Sequence, residues 1–294
     1  MIRREPRAEL RPLASTLWWS ARPNAHMEER EDTGARELVV PTGSMHLVIR
    51  LGGPELRIFS GPDDDEGACI RGPIVGGVRD RAYLRERDRP PISIGLMLRP
   101  GAARALFGVS AEELAFAHHP LDELWGSRAR SLIDELSELS SPEAQLARFE
   151  AMVIAELSRR GTRPPDKRVL IAAEALSHGA RVDAIASALE LSPRRLHTLF
   201  IEECGLSPKR FARVKRVEAT LKAALEAPAR SWAALAAAYN FSDQAHLSRE
   251  LREIAGVTPS QLRRLAPAET HHLPMQDRAP QKLAPLPISS RRST

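Results

Sequence analysis

The feature that most constrains this chain is a repeat. From residue 182 to 262 the sequence returns on itself with an offset of about 50 residues. Ile185-Ala186 corresponds to Leu235-Ala236 and Ser192 to Ser242. Leu196 corresponds to Leu247 with one residue of slack, and GLSPKRF (205–211) to GVTPSQL (256–262). A repeated unit sets architecture before any single residue does, because both copies must fold alike. Each copy divides into a short helix, a tight turn and a second helix. In the first, the short helix runs from Val182 to Leu189 and Glu190-Leu191 make the turn. Ser192 then caps a helix with Pro193 at its first position, which continues to about Cys204 and stops at Gly205. In the second, the short helix is Trp232 to Tyr239, and Asn240, tolerant of left-handed backbone, takes the turn. Ser242 caps the second helix and Gly256 ends it.

This is helix-turn-helix geometry. Between the copies Ser207 caps a helix with Pro208 at its start, predicted to run to about Glu226. Its 19 residues span about 28 Å, close to the roughly 34 Å of one DNA turn. One chain can thus present two second helices to successive major-groove segments. In each second helix one stripe is apolar: Leu196, Leu199 and Phe200, then Leu247, Leu251 and Ile254. Off the stripe lie Arg194, Arg195, His197 and Thr198, then Gln244, Ala245, His246, Ser248 and Arg249. Arg suits guanine, Gln suits adenine, and Ala suits a thymine methyl. Ser192, Ser242, Ser248, Lys209, Arg210 and Arg213 are expected on the phosphate backbone, with Lys215 and Arg216 nearby on the same helix. Charge agrees: residues 1–163 carry a net −2, residues 164–266 a net +5 and residues 267–294 a net +2.

The segments LSPRRLHTLFIEECGLSPKRF (191–211) and FSDQAHLSRELREIAGVTPSQLRR (241–264) resemble the DNA-binding domain of AraC/XylS-type transcription regulators over about residues 166–265. The resemblance implies that Arg194, His197, Thr198, Gln244, Ala245 and Arg249 meet bases. The chain departs from the family pattern at Asn240, where Gly is common, and at Leu247 and Leu251, where Phe is common. It departs also at Thr198, where a longer basic residue is usual, and at Glu250, an acid beside Arg249. GLMLRPGAARALFGVSAEEL (95–114) and HPLDELWG (119–126) resemble the sensor half of an actinobacterial-style subgroup, which implies a domain that senses an effector or dimerises.

The residues before the repeat support a different fold class. LASTLWW (13–19), RELVVP (36–41), SMHLVIRL (44–51), ELRIF (55–59), CIRGPIVGG (69–77) and ISIGLML (92–98) read as short strands between turn-forming clusters. They predict a small β-barrel or sandwich. Helices follow at 99–108, at 110–116 with a Ser110/Glu113 capping box, at 128–139 and at 142–159. The expected organisation is α+β: a β-rich sensor or dimerisation domain over 1–160, a linker at GTRPP (161–165), and an all-α domain over 166–266. The five-proline stretch 267–294 reads as a disordered tail.

Catalytic readings find little support. His118-His119, His26 and His46 show no metal-ligand spacing, and His118-His119 read as capping or surface residues. Asp63-Asp64-Asp65-Glu66 reads as a solvated loop and lacks a calcium-loop pattern. GPIVGGV (72–78) lacks the lysine of a phosphate loop. Of Trp18-Trp19, strand alternation sends one to the core. Two cysteines, Cys69 and Cys204, are too few for a disulfide framework, and no apolar run is long enough to span a membrane, so a cytoplasmic location is expected. No cofactor, metal or enzymatic activity is expected. The expected partner is double-stranded DNA, with RNA polymerase, a small-molecule effector and a second copy of the chain as further candidates. The rival reading is a small-molecule- or metal-binding β-barrel, or an enzyme, with a helical appendage.

Overall fold

A computed structural model describes residues 1–21, 35–52, 55–87, 92–161, 164–265, 267 and 270–274. The chain opens with strands β1 (Ile2–Arg4), β2 (Ala14–Ala21), β3 (Arg36–Val39), β4 (Met45–Leu51), β5 (Leu56–Phe59), β6 (Ala68–Ile70), β7 (Ile74–Gly76), β8 (Tyr83–Glu86) and β9 (Ile92–Leu98). Helices α1 (Ala102–Phe107) and α2 (Ala111–Leu114) precede β10 (His118–Pro120) and helices α3 (Leu121–Trp125), α4 (Ser127–Ser137) and α5 (Pro142–Arg160). The strands form two antiparallel sheets. One has the order β1-β2-β9-β4-β7-β10; in the other, β3-β8-β5-β6 are joined at the β3 edge by a short strand from the C-terminus. The stretch 69–77 is thus two strands in different sheets, with Gly72 in left-handed backbone between them.

Strand alternation sorts the first sheet into two faces. Leu17, Leu96, Leu47 and Val75 lie in register across four strands, and all are fully buried against the helices. The opposite face looks toward the second sheet. There Val48 and Ile74 join Leu56, Ile58 and Tyr83 in a separate, smaller apolar cluster. Two sequence expectations change on this side. His118 is neither a cap nor a surface residue: it stands on β10 opposite Gly76, which also pairs with His46. The absence of a side chain on Gly76 leaves room for the His46 ring, which lies where its Cβ would be. Helix α1 spans Ala102–Phe107 behind Gly101, shorter than the 99–108 expected, because Gly101 is in left-handed backbone. His26 lies outside the described residues.

The second half is helical: α6 (Lys167–Ser177), α7 (Val182–Ala188), α8 (Pro193–Cys204), α9 (Pro208–Glu226), α10 (Trp232–Ala238), α11 (Gln244–Ala255) and α12 (Pro259–Leu265). α6 packs on α9, and α9 carries the two helix pairs α7–α8 and α10–α11. One continuous core runs from the sheets into these helices, joined where α1 and α2 pack on α8. Among the described residues no helix is long and apolar enough to cross a membrane.

The expectation of a disordered tail from 267 is corrected over its first residues. His272–Pro274 form strand β11, paired antiparallel with β3, and Leu273 is fully buried. The tail has an apolar residue at the one position where it must point inward, and the free edge of β3 supplies the hydrogen bonds. Residues 275–294 lie outside the described residues.

Candidate nucleic-acid interface

The two helix-turn-helix units are built by local chemistry. In the first, Glu190 makes the turn with φ 55°, and the Ser192 side chain accepts from the Arg195 N–H. Leu196, Leu199 and Phe200 are buried, which turns Arg194, Arg195, His197 and Thr198 outward, all exposed. The Thr198 hydroxyl donates to the Arg194 carbonyl at 3.2 Å, so it folds back on its own helix. In the second unit Asn240 takes φ 56° and Phe241 is buried behind it.

The cap of α11 is Asp243, not Ser242. The Asp243 carboxylate accepts from the His246 N–H at 2.6 Å, which holds its pKa below the usual aspartate value. Ser242 instead stands 3.1 Å from Nδ1 of His246, whose ring packs edge-on to Phe241. Gln244, Ala245 and Arg249 are exposed, while Ser248 donates to the Gln244 carbonyl at 2.8 Å. Of the second-unit candidates, Gln244, Ala245 and Arg249 project freely, whereas His246 and Ser248 are tied to their own helix.

Three cations of the linker helix α9 are committed inside the protein. Arg213 donates to Glu250 at 2.7 Å and to Glu253 at 2.7 Å, so its assignment to phosphate does not fit this arrangement. Arg216 lies over the Phe241 ring and 3.4 Å from Glu250. Lys215 pairs with Glu218 and reaches the Thr42 carbonyl. Glu250 is the hub. Burial would raise its pKa, but the hydrogen bonds and charge of Arg213, with the charge of Arg216, outweigh burial and lower it. Sequence reading placed Glu250 beside Arg249; in the fold it points the other way, into α9. Lys209 and Arg210 remain exposed, with Arg210 3.5 Å from Asp80.

Asp80 belongs to a loop that touches both units. Gly205, the left-handed cap of α8 at φ +75°, sits so close to Val78 and the Ala111 carbonyl that a Cβ there would lie 2.6 and 2.7 Å from them. At the far end of α11 the Ala82 N–H donates to the Ile254 carbonyl at 2.7 Å, and Arg81 lies 3.5 Å from Glu253. Residues 78–82 therefore hold the C-terminal ends of both second helices and leave their N-terminal halves outward.

Between the sheets, Arg85 donates to Glu37 at 2.6 Å, and His272 of the tail lies 3.2 Å from the same carboxylate. Burial favours protonated Glu37, yet the His272 hydrogen bond and the Arg85 charge bring its pKa to about 2. A carboxylate with a depressed folded pKa stabilises above its ordinary pKa and loses that contribution as pH falls through the folded value. Glu37 is 1% exposed, so about 3 kcal/mol should be lost between pH about 4.5 and about 2. Glu37→Gln should start less stable at neutral pH and show a shallower acid loss. Parallel acid-unfolding curves for the two proteins would refute the assignment. Asp64 accepts from the Ser60 and Gly67 N–H groups, so the acidic loop is a turn-former. Among the described residues no three His, Cys, Asp or Glu groups are placed to hold a metal.

Residues 185–265 match a family model described as a helix-turn-helix domain, and residues 2–120 match one described as a domain of unknown function (DUF6597). No curated protein matches. Among solved structures, ToxT from Vibrio cholerae O395 is similar at 10% identity, with 80% of this chain and 97% of that chain covered and a TM-score of 0.43. A crystal structure of ToxT bound to (E)-4-(8-methylnaphthalen-1-yl)but-3-enoic acid is similar at 11% identity, with 79% and 97% covered and a TM-score of 0.44.

Proposed function

We propose that this chain, whose residues 185–265 form an AraC/XylS-type helix-turn-helix DNA-binding domain, is a sequence-specific transcription regulator that reads two adjacent major-groove segments under control of its N-terminal half. One observation carries the reading. Two helices, each N-capped and each turning its N-terminal polar residues outward, are joined by a helix of 19 residues, about 28 Å long. In such units the N-terminal part of the second helix meets the base edges. Arg194, Arg195 and His197 serve the first segment, and Gln244, Ala245 and Arg249 the second. Ser192, Lys209 and Arg210 lie where phosphates pass. RNA polymerase and a second copy of the chain are the further partners this role calls for.

The test is selection of bound fragments from genomic DNA by the full-length protein at about 150 mM salt. Two short blocks about 10 base pairs apart are expected. A single block would reduce one unit to a backbone clamp, and no enrichment in any condition would sink the reading. Arg249→Ala should cost about 1–3 kcal/mol and relax preference at one base position in the second block. A uniform loss across all sequences would instead make Arg249 a phosphate contact.

A further inference from the structure

A cavity of about 250 Å³ lies where the N-terminal half meets the first helix-turn-helix unit. Gly101 and Arg104 form one wall, Pro164, Pro165 and Arg168 a second, and α8 the third. Gly101 joins these walls. Its N–H donates to the Glu203 carbonyl at 2.8 Å, and a Cβ on this left-handed residue would lie 2.6 Å from Pro165. On α8, Arg195, Leu199 and Glu202 follow at spacings of four and three, so they share the face turned to the cavity. That face is about 100° round the helix from Arg194.

The charges on these walls do not all answer one another. Arg168 is taken by Asp166, to which it donates at 3.1 and 2.6 Å, and Glu203 is not without a partner. Among the described residues no hydrogen bond or ion pair engages the side chain of Arg104, Arg195 or Glu202. The charge of Arg104 is felt at Glu113, but that carboxylate is bonded to Ser110. Two guanidinium groups and one carboxylate thus face a common space. A guanidinium grips a carboxylate at two points, and a carboxylate accepts from an ammonium. A ligand that answers all three groups carries two carboxylates and one ammonium. Leu199 and Pro165 offer apolar surface to the short chain between them. The cavity is smaller than the roughly 300–1,000 Å³ that drug-sized ligands occupy, so it suits a small metabolite.

Resting on the regulator reading above, we propose that this junction binds an α-amino dicarboxylate, its carboxylates on Arg104 and Arg195 and its ammonium on Glu202, and that occupancy withdraws Arg195 from DNA. Arg195 is exposed at the border between the cavity and the outward face of α8. The ligand and the duplex compete for one guanidinium, so each weakens the other by the same factor. Held by Arg104 on one side and by α8 on the other, the ligand also fastens the first unit to the N-terminal half.

The experiment uses the full chain with L-aspartate and L-glutamate at constant ionic strength. Succinate and glutarate lack the ammonium, and asparagine and glutamine lack the second carboxylate. At least one amino dicarboxylate should raise the melting temperature saturably, by about 4 °C or more at about a hundredfold excess over its dissociation constant. Its diacid and its amide should bind about tenfold more weakly or worse. Arg104→Gln should weaken binding by about tenfold or more, and Glu202→Gln should erase the preference for the amino dicarboxylate over its diacid. Arg104 is exposed and Glu202 only half-buried, so both variants should melt close to wild type without ligand. The proposal falls if neither amino dicarboxylate shifts melting, if the diacid or amide does so equally, if Arg104→Gln binds as wild type, or if Glu202→Gln keeps the preference.

At saturation the same amino acid should lower affinity for the selected DNA about fivefold or more in wild type and leave Arg104→Gln unaffected; an unchanged affinity in wild type removes the switching role. If wild type binds no DNA with or without the amino acid while melting still responds, the regulator reading fails and the junction site stands. If DNA is selected but no amino dicarboxylate shifts melting, the regulator reading stands and the junction site falls.

Discussion

Phe200→Ala should cost about 3–5 kcal/mol of stability, the largest single loss expected on the DNA-binding side. Phe200 is fully buried on α8, and its ring meets Phe211 of α9 edge to face with centroids 5.3 Å apart. This pair sets the angle at which α8 leaves the linker helix. Phe211 in turn lies against Gly43 at the sheet side, so the ring stack joins three parts of the molecule. Denaturant unfolding measures the loss, and fragment selection with the variant should show the first DNA block weakened more than the second. A loss below about 1 kcal/mol would mean that α8 is held chiefly through α2 and loop 78–82.

Glu250→Ala should be nearly as severe, about 3 kcal/mol, for a different reason. The carboxylate is the shared partner of Arg213 and Arg216, with its side chain 9% exposed. Removing it leaves two partly buried guanidinium groups facing each other, and breaking one side of such a cluster costs far more than the intact cluster contributes. Arg213 keeps Glu253, which sets the loss at the low end of the range. Because the folded pKa of Glu250 is lowered, its contribution is complete above the ordinary carboxylate range and fades as pH falls through the folded value. Wild type should thus approach the stability of Glu250→Gln under acid conditions. Equal stability of wild type and Glu250→Ala at neutral pH would show the cluster to be a solvated surface network.

These two sites also separate what is local from what is not. Caps and turns were legible because the groups that satisfy each other lie within four residues: Ser192 with Arg195, Ser207 with Arg210, Ser110 with Glu113. The 50-residue repeat was legible because both copies need the same apolar stripe. Where two side chains compete for one local role the sequence was ambiguous, and Asp243 took the cap assigned to Ser242 because its carboxylate reaches the His246 N–H.

The partner of a long polar side chain is another matter. Arg213 finds Glu250 37 residues away, and Arg4 finds the buried Glu150 146 residues away. No periodicity encodes such pairs, since a solvated arginine and a paired one look alike in sequence. Strand pairing across the whole chain is equally hidden: β11 joins β3 only because the DNA-binding helices bring residue 272 back to the sheet.

The amino-acid sequence alone therefore determined the two helix-turn-helix units, their spacing and their outward residues, since hydrophobic period, caps and turn residues act over one or two turns of helix. Only the tertiary structure decided which cations of α9 remain exposed, where His46 and His118 stand, and that the loop carrying Arg79 also seats the ends of α8 and α11. Those outcomes depend on which distant surfaces meet, and they are set by packing and desolvation.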